Sequence, residues 1–184
     1  MRRLAEWFAR LLPNNASVLD LGAGDGRLSA AIFELRPDLR IQGVEVQPRV
    51  DCAIPVDAFD GVHLPYGDRT FGAVMLSDVL HHAGQPLELL READRVATRC
   101  LVIKDHLLAG FLAGPTLRFM DRVGNRRFGV PVPGVYWPAS QWRSAFDDLG
   151  LRIIQWQERL GLYPWWLNWW FGRSLHFVAR LARR

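Results

Sequence analysis

The sequence is poor in cysteine and has no long apolar run. Its two cysteines, Cys52 and Cys100, lie among apolar residues and show no metal-ligand spacing. We therefore expect buried, reduced thiols in a cytoplasmic protein, rather than a disulfide or a metal site. No apolar stretch approaches the roughly 20 residues that a membrane-spanning helix requires. Residues 1–12 begin like a signal peptide, but Glu6 and Arg10 interrupt the apolar stretch and predict an amphipathic helix instead.

The charge of the chain is only weakly informative. The net charge is +4 and the pI about 9.7, and basic residues cluster at the two termini. This bias is compatible with anionic surfaces but does not by itself predict nucleic-acid binding. A chain of 184 residues that is 49% apolar can form one well-packed core. We therefore predict a single domain over residues 1–184.

Segments typical of strands alternate with segments typical of helices. Strands are predicted at residues 17–21, 41–46, 54–59, 71–77, 100–104, 151–158 and 174–181, and helices at 28–35, 85–97 and 139–149. The last two strands are close in sequence and should pair antiparallel. The pattern predicts a three-layer α/β fold with a mostly parallel seven-stranded sheet and an antiparallel last strand.

The stretch Val18–Arg27, VLDLGAGDGR, leads from the first strand through three glycines into a helix. Glycine permits positive φ and lets a ligand approach the backbone, as in α/β sites for nucleoside cofactors. The glycines are Gly22, Gly24 and Gly26, whereas the dinucleotide fingerprint has its third glycine one residue later. The spacing therefore disfavours NAD and FAD.

This turn resembles the E/D-x-G-x-G-x-G motif of the class I S-adenosylmethionine-dependent methyltransferases. The later stretch LPYGDRTFGAVMLSDVLHH resembles a run found in the small-molecule branch that includes the ubiquinone and menaquinone methyltransferases. The resemblance covers residues 18–104 and the final strand pair. It implies a Rossmann-like fold and S-adenosyl-L-methionine as cofactor.

The resemblance also implies cofactor-binding residues. Glu45, at the end of the second strand, corresponds to the acidic residue that holds the ribose hydroxyls, and Asp60 to the one that contacts the adenine amino group. Asp57 is an alternative to Asp60, because the helix after Glu45 is nearly absent. The full expected set is Asp20, Gly22, Gly24, Gly26, Glu45, Asp60, Gly61 and Ser77. The turn before the fifth strand, residues 97–99, lacks the usual P-G-G.

Residues after the fourth and fifth strands are candidates for the chemistry. Methyl transfer is an in-line displacement, and a general base is needed only when the acceptor must lose a proton. His106, with Asp105 to orient it, is the predicted base, and His82 is a second catalytic candidate. His81 is expected to contact the acceptor. The alternative is that the His81–His82 pair is structural, as the resemblance also allows.

Residues 105–138 lack a clear strand pattern and are predicted to cover the acceptor site as a lid, with a helix near 116–123. Arg118, Tyr136 and Trp137 are its predicted acceptor-binding residues, and some lid residues could instead only tie the segment to the body. Trp165, Trp166, Trp169 and Trp170 form an aromatic cluster that suits peripheral membrane contact, an apolar acceptor, a partner surface or a short packing helix.

These features together predict an enzyme that methylates a small apolar or aromatic acceptor. One alternative is an RNA methyltransferase, suggested by the pI, although no N-P-P-Y-type sequence follows the fourth strand and nucleic acid is not the expected partner. A second alternative is a non-catalytic relative of the fold, which would be a cofactor-binding or membrane-associated partner of another enzyme.

Overall fold

The computed structural model describes residues 1–125, 135–164 and 174–184. The strands are β1 (Ser17–Leu21), β2 (Arg40–Glu45), β3 (Val56–Ala58), β4 (Phe71–Ser77), β5 (Ala97–His106), β6 (Leu151–Gln157) and β7 (His176–Arg183). The helices are α1 (Arg2–Leu11), α2 (Arg27–Leu35), α3 (Pro86–Val96), α4 (Ala113–Asn125) and α5 (Ala139–Asp148), and a 3-10 helix spans Leu80–His82.

The seven strands form one sheet in the order β3-β2-β1-β4-β5-β7-β6. Strand β7 is antiparallel to both of its neighbours, and the other six strands share one direction. The predicted three-layer fold with a mostly parallel sheet is confirmed. Because β1 lies between β2 and β4, the strand order reverses beside β1, and ligands bind at such a point, outside the carboxyl ends of the strands.

Strand β5 is longer at both ends than the sequence pattern predicts. It begins at Ala97, directly after α3, where a turn was expected, and it continues to His106. The extension exists because β7 pairs with β5 as far as the His106–His176 register position. Asp105 and His106 are therefore strand residues, and consecutive strand residues point to opposite faces of a sheet.

Apolar side chains cover both faces of the sheet. Helices α1 and α2 bury Phe8, Leu11 and Ile32 on one face, and α3 and α5 bury Leu90 and Phe146 on the other. These layers place the core below the carboxyl edge of the sheet and leave that edge for polar groups. Within the described residues, no helix is long and apolar enough to cross a membrane.

Arg36, just after α2, fastens α1 to the body. Its guanidinium donates to the carbonyl oxygen of Ala9 at 2.6 Å and to Asn14 Oδ1 at 3.0 Å. It also donates through Nε to Asp38 Oδ1 at 2.7 Å. The last carbonyls of a helix have no partner within the helix, so Arg36 satisfies part of the C-terminus of α1.

Both cysteines are free thiols in the structure. Cys100 is buried in β5, and this burial raises the pKa of its thiol. Cys52 is only partly buried, contrary to the expectation that both would be buried. Its neighbourhood, residues 46–55, contains no helix, so the wall beside β2 is thin there, as the sequence suggested.

Candidate active site

The glycine turn that joins β1 to α2 needs its three glycines for conformational reasons. Gly22, Gly24 and Gly26 have φ values of +76°, +58° and +73°, a region that side chains rarely allow. An added Cβ at Gly22 would lie 2.5 Å from Val79 Cγ2, and one at Gly26 would lie 2.8 Å from Ile54 Cγ1. An added Cβ at Gly24 would have no neighbouring atom of the described residues within 4 Å. The turn is therefore packed at both ends and open at Gly24, where a ligand can approach the backbone.

Glu45 closes the side of this opening. Its Oε2 accepts the backbone N–H of Gly24 at 2.9 Å, and its Oε1 accepts the backbone N–H of Val46 at 2.8 Å. A carboxylate has about four lone-pair sites, so both oxygens can accept a further hydrogen bond. The contact between Glu45 and the turn agrees with the position expected from the sequence. The role of Glu45 toward ribose hydroxyls stays a prediction.

Asp20 lies under the turn and is 2% exposed. Its Oδ2 accepts the hydroxyl of Ser29, on α2, at 2.7 Å. Burial raises the pKa of Asp20 to about 7, the Ser29 hydrogen bond opposes this rise, and the charge of Glu45 adds to it. Asp20 therefore links the strand to the helix below the opening, and a direct cofactor contact stays a prediction.

Asp60 and Asp57, the two candidates for adenine, have different surroundings. Asp60 Oδ1 accepts the backbone N–H groups of Val62 at 2.8 Å and His63 at 2.6 Å, so it caps an exposed turn. These hydrogen bonds lower the pKa of Asp60 to about 2. Gly61 follows with a φ of +87°. Asp57 is on β3, where its Oδ2 accepts the hydroxyl of Tyr66 at 2.9 Å.

A cluster of ionisable side chains lies beyond the carboxyl ends of β4 and β5. We call it the polar cluster; its members are Asp78, His81, His82, Lys104, Asp105, His106, Asp121, Tyr136, Tyr163 and His176. It contains four of the five histidines of the chain and its only lysine. The cluster adjoins the glycine turn, because Val79, next to Asp78, packs against Gly22. Two groups of residues that are distant in sequence thus share one edge of the sheet.

His81 and Asp105 form the tightest pair inside the polar cluster. His81 Nδ1 is 2.6 Å from Asp105 Oδ1, and both side chains are 1% exposed or less. Asp105 also accepts the backbone N–H of Leu80 at 3.0 Å. Burial opposes the charged form of His81, but the hydrogen bond and charge of Asp105 outweigh it, so the pKa of His81 is raised. The Nε2 atom of His81 is buried and has no hydrogen-bond partner among the described residues.

His106 does not pair with Asp105 through its ring, so the predicted His106–Asp105 arrangement is wrong. From His106, the carboxylate of Asp105 accepts the backbone N–H at 2.7 Å and makes no hydrogen bond with the ring. The ring of His106 contacts Asp121 Oδ1 through Nε2 at 3.0 Å and His176 Nδ1 through its own Nδ1 at 3.1 Å. The physical reason is strand alternation: β5 continues through both residues, and their side chains diverge.

Asp121, on α4, joins the lid region to the sheet. It accepts the ring of His106 at one oxygen and the hydroxyl of Tyr136 at the other. Burial raises the pKa of Asp121, but the hydrogen bonds from His106 and Tyr136 outweigh burial and lower the net value. Burial and the bond to Asp121 raise the pKa of Tyr136. The predicted helix near residues 116–123 is present as α4. The predicted acceptor-binding role of Tyr136 stays a prediction.

Asp78 and Lys104 form the second charged pair of the cluster. Lys104 Nζ donates to Asp78 Oδ1, and Lys104 is buried. Burial raises the pKa of Asp78, but Lys104 and His106 outweigh it, and the net value lies far below the ordinary range. Asp78 has a φ of +58°, a strained backbone that is commonest at functional sites. Ser77, just before it, donates to Asp78 Oδ2 at 3.4 Å.

The second catalytic candidate, His82, packs beside His81, with the two rings tilted relative to each other and their centroids 3.9 Å apart. Burial and the neighbouring His81 lower the pKa of His82. His82 is less buried than His81 and therefore lies at the rim of the cluster. Its predicted catalytic role stays a prediction.

Tyr163 and His176 were missed by the sequence reasoning. The hydroxyl of Tyr163 lies 3.3 Å from His176 Nε2. The other ring nitrogen of His176, Nδ1, lies 3.1 Å from His106 Nδ1. Burial and the charges of Asp78 and Asp121 raise the pKa of Tyr163 to about 12. Antiparallel pairing of the last strands was the signal that could have placed His176 beside the end of β5.

The remaining predicted acceptor residues differ in exposure. Arg118 is exposed on α4. Trp137 is 8% exposed and packs on Trp142, with ring centroids 4.8 Å apart, so it belongs to the core. Trp165, Trp166, Trp169 and Trp170 lie outside the described residues, as do residues 126–134 of the predicted lid.

Comparisons with known proteins agree with this architecture. A family model described as "Methyltransferase domain" matches residues 1–156. No curated protein matches the sequence. A candidate methyltransferase solved in complex with the Haloferax volcanii Trm112 methyltransferase activator is 14% identical, with a TM-score of 0.71, and the match covers 98% of this chain and 88% of that one.

Two bacterial proteins also resemble this chain in structure at low sequence identity. A candidate methyltransferase from Bacillus halodurans is 16% identical, with a TM-score of 0.69 and 98% of each chain covered. A SAM-dependent methyltransferase from Aquifex aeolicus is 18% identical, with a TM-score of 0.63, and the match covers 97% of this chain and 88% of that one. At these identities the structural likeness supports the fold.

Proposed function

Since the chain belongs to the methyltransferase domain family, we propose that it transfers the methyl group of S-adenosyl-L-methionine to a small-molecule acceptor bound against the polar cluster. The observation that carries this proposal is the contact between the two sites: the open glycine turn and the polar cluster adjoin through Gly22 and Val79. Donor and acceptor can therefore be held side by side, which is the main requirement of an in-line displacement.

The residues at the turn suit this cofactor. The space beside Gly24 is open to a ligand, and the φ of +58° favours glycine at this position. The remaining lone pairs of Glu45 suit the two hydroxyls of a ribose, because charged acceptors make the stronger hydrogen bonds. The cofactor supplies a methyl group on a positively charged sulfur.

The polar cluster suits an acceptor that loses a proton on methylation, such as a hydroxyl, thiol or amine. His106, the base predicted from the sequence, has both ring nitrogens engaged by neighbours. His81 has a free Nε2 among the described residues, and Asp105 fixes its ring from the other side. We therefore propose that the acceptor lies against His81, as predicted from the sequence, and that His106 is not the base.

Exposed apolar side chains near the N-terminal part of the predicted lid support an acceptor with an apolar or aromatic body. Phe111 is 86% exposed and Phe119 is 58% exposed. Asp121 lies on the opposite, buried side of α4 from Phe119 and contacts the cluster. The described residues around Phe119 and Asp121 would thus offer polar groups inside and apolar groups outside.

Isothermal titration calorimetry with S-adenosylmethionine and S-adenosylhomocysteine tests the cofactor. The wild type should bind both, and Glu45→Ala should bind at least about 10-fold more weakly, since hydrogen bonds to a charged group contribute about 1.5–3 kcal/mol. Glu34→Ala, which removes an exposed carboxylate from α2, is the matched control and should bind like the wild type.

Absence of binding by the folded wild type would sink the proposal, and so would unchanged affinity in Glu45→Ala. A methyl-transfer screen then separates acceptor classes. Apolar hydroxyl, thiol and amine compounds should be methylated in preference to RNA; transfer to RNA alone would overturn the small-molecule part.

A further inference from the structure

We propose that the polar cluster holds a divalent first-row transition-metal ion, with His81, His82 and Asp121 as its ligands. Ligand atoms of these three residues lie within 4.8 Å of one another. The binding of the ion stands on the geometry alone, whereas its part in the reaction rests on the proposed function. The sequence predicted no metal site, because the ligands come from two segments with no spacing motif.

The first observation is the free nitrogen of His81. His81 Nε2 is buried, lacks a hydrogen-bond partner among the described residues, and lies 3.6 Å from Asp121 Oδ2. Two ligand atoms bound to one ion at about 2.1 Å in a tetrahedral arrangement are about 3.4 Å apart. The observed separation therefore suits a shared ion and is too long for a direct hydrogen bond.

The second observation is the support behind the ligands. Asp105 contacts His81 Nδ1 at 2.6 Å, and this fixes which nitrogen faces Asp121. His106 contacts Asp121 Oδ1 at 3.0 Å, and Tyr136 donates to the other oxygen. Metal-binding histidines and carboxylates are typically oriented by such outer contacts. Each of these two ligands is therefore held in place by a neighbour that is not a ligand.

The third observation is charge. Lys104 balances Asp78, but no lysine or arginine of the described residues forms an ion pair with Asp105 or Asp121. Their partners are His81 and His106, and a histidine offsets a carboxylate only when it is protonated. Buried charges without compensation are unfavourable. A divalent ion beside neutral imidazoles would offset both carboxylates.

A competing ligand set, formed by Asp78, His81 and His106, is also close enough for an ion. It is less suitable, because Lys104 puts a positive charge on Asp78 Oδ1 and both ring nitrogens of His106 are engaged, by Asp121 and His176. An imidazole nitrogen has one position for a partner, whereas each oxygen of Asp121 has a second lone pair beside its contact with His106 or Tyr136. The set with His82 avoids the positive charge of Lys104. Two imidazoles and one carboxylate select transition metals over Mg²⁺.

Three protein ligands leave a position for the acceptor, as in catalytic zinc sites. A bound ion lowers the pKa of a coordinated hydroxyl. The acceptor would release its proton to solvent, and its lone pair would form the bond to the methyl carbon. The electron pair of the broken carbon–sulfur bond would leave with the sulfur of S-adenosylhomocysteine.

Metal binding is tested on full-length protein dialysed against a chelator. Titration with Zn²⁺ should show one ion per chain, Co²⁺ should give visible absorption bands typical of a low-symmetry site, and Mg²⁺ should not compete. X-ray absorption of the zinc-loaded wild type should show two imidazole ligands. Failure of the wild type to bind one ion, or a spectrum without imidazole, would overturn the proposal.

Variants assign the ligands. His82→Ala, at the rim of the cluster, and Asp121→Asn should each weaken Zn²⁺ binding at least 100-fold, and Asp105→Asn about 10- to 100-fold. His63→Ala is the matched control, since His63 also contacts a carboxylate but is 77% exposed, and it should leave binding unchanged. Unchanged binding in both His82→Ala and Asp121→Asn would refute the ligand set.

S-adenosylhomocysteine titrations of the same samples separate this proposal from the proposed function. Retained cofactor binding in the variants shows that they are folded. Cofactor binding without zinc binding would remove the metal site alone, and zinc binding without cofactor binding would remove the methyl-transfer function alone.

Discussion

Asp20 allows a prediction in which the direction of a pH effect follows directly from burial. The carboxyl is 2% exposed, and its surroundings raise its pKa to about 7. In the unfolded chain an aspartate has a pKa of about 4. The perturbation is Asp20→Asn, which keeps an oxygen for the Ser29 hydroxyl and removes the ionisable group.

The sign follows from proton binding. Below about pH 4 both states of the wild type carry the proton, so Asp20 adds no pH dependence. Between about pH 4 and 7 the folded state keeps the proton and the unfolded state loses it, so stability falls by about 1.4 kcal/mol per pH unit. The free energy of unfolding of the wild type should therefore fall by about 4 kcal/mol in total because of Asp20. Above about pH 7 it should not fall further through this group.

Urea unfolding of both proteins from pH 4.5 to 8 measures the effect. The free energy of unfolding of the variant, minus that of the wild type, should rise by about 3 kcal/mol across this range and level off above about pH 7. Asp148→Asn, at an exposed carboxylate of α5, is the control and should give a flat difference. A flat difference for Asp20→Asn would refute the inference that burial holds Asp20 neutral.

Two further substitutions test the turn and the packing of α1. Gly24→Ala should lower the free energy of unfolding by about 1–2 kcal/mol because of its left-handed backbone. It should also weaken S-adenosylmethionine binding at least about 10-fold, because the new Cβ enters the open space; calorimetry at normal affinity would contradict this. Arg36→Ala should lower the free energy of unfolding by about 2 kcal/mol, since it leaves carbonyls of α1 without a partner. Urea unfolding measures this change, and a loss below about 0.5 kcal/mol would show that water replaces the guanidinium.

The fold and the donor side could be predicted because their signals are local. Apolar runs and helical spacing placed five of the seven strands close to their observed bounds, whereas β5 was predicted shorter at both ends and β3 longer than its three residues. The glycine spacing was informative because each of the three positions requires positive φ. Glu45 followed from its place at the end of a strand beside that turn.

The acceptor side could be predicted only in part, because its contacts depend on register between distant segments. His106 and His176 are 70 residues apart and meet only because β7 pairs with β5 to its last residue. Ending β5 at Lys104 made Asp105 and His106 look like loop neighbours that could form a pair. The true end of the strand reverses that conclusion, since adjacent strand residues face opposite sides.

The carboxylates of the polar cluster should affect how the positively charged sulfur of the donor binds, and this gives a last prediction. The positive charge of a sulfonium donor disappears as its methyl group moves, so uncompensated carboxylates nearby would stabilise the reactant more than the transition state. Asp105 and Asp121 are such carboxylates unless a cation offsets them. With the proposed ion bound, the affinity for S-adenosylmethionine relative to S-adenosylhomocysteine should therefore be lower than in the ion-free enzyme. Calorimetry of both ligands in chelator-treated and zinc-loaded wild type measures this ratio. An identical ratio in the two states would show that the ion does not act on the donor's charge.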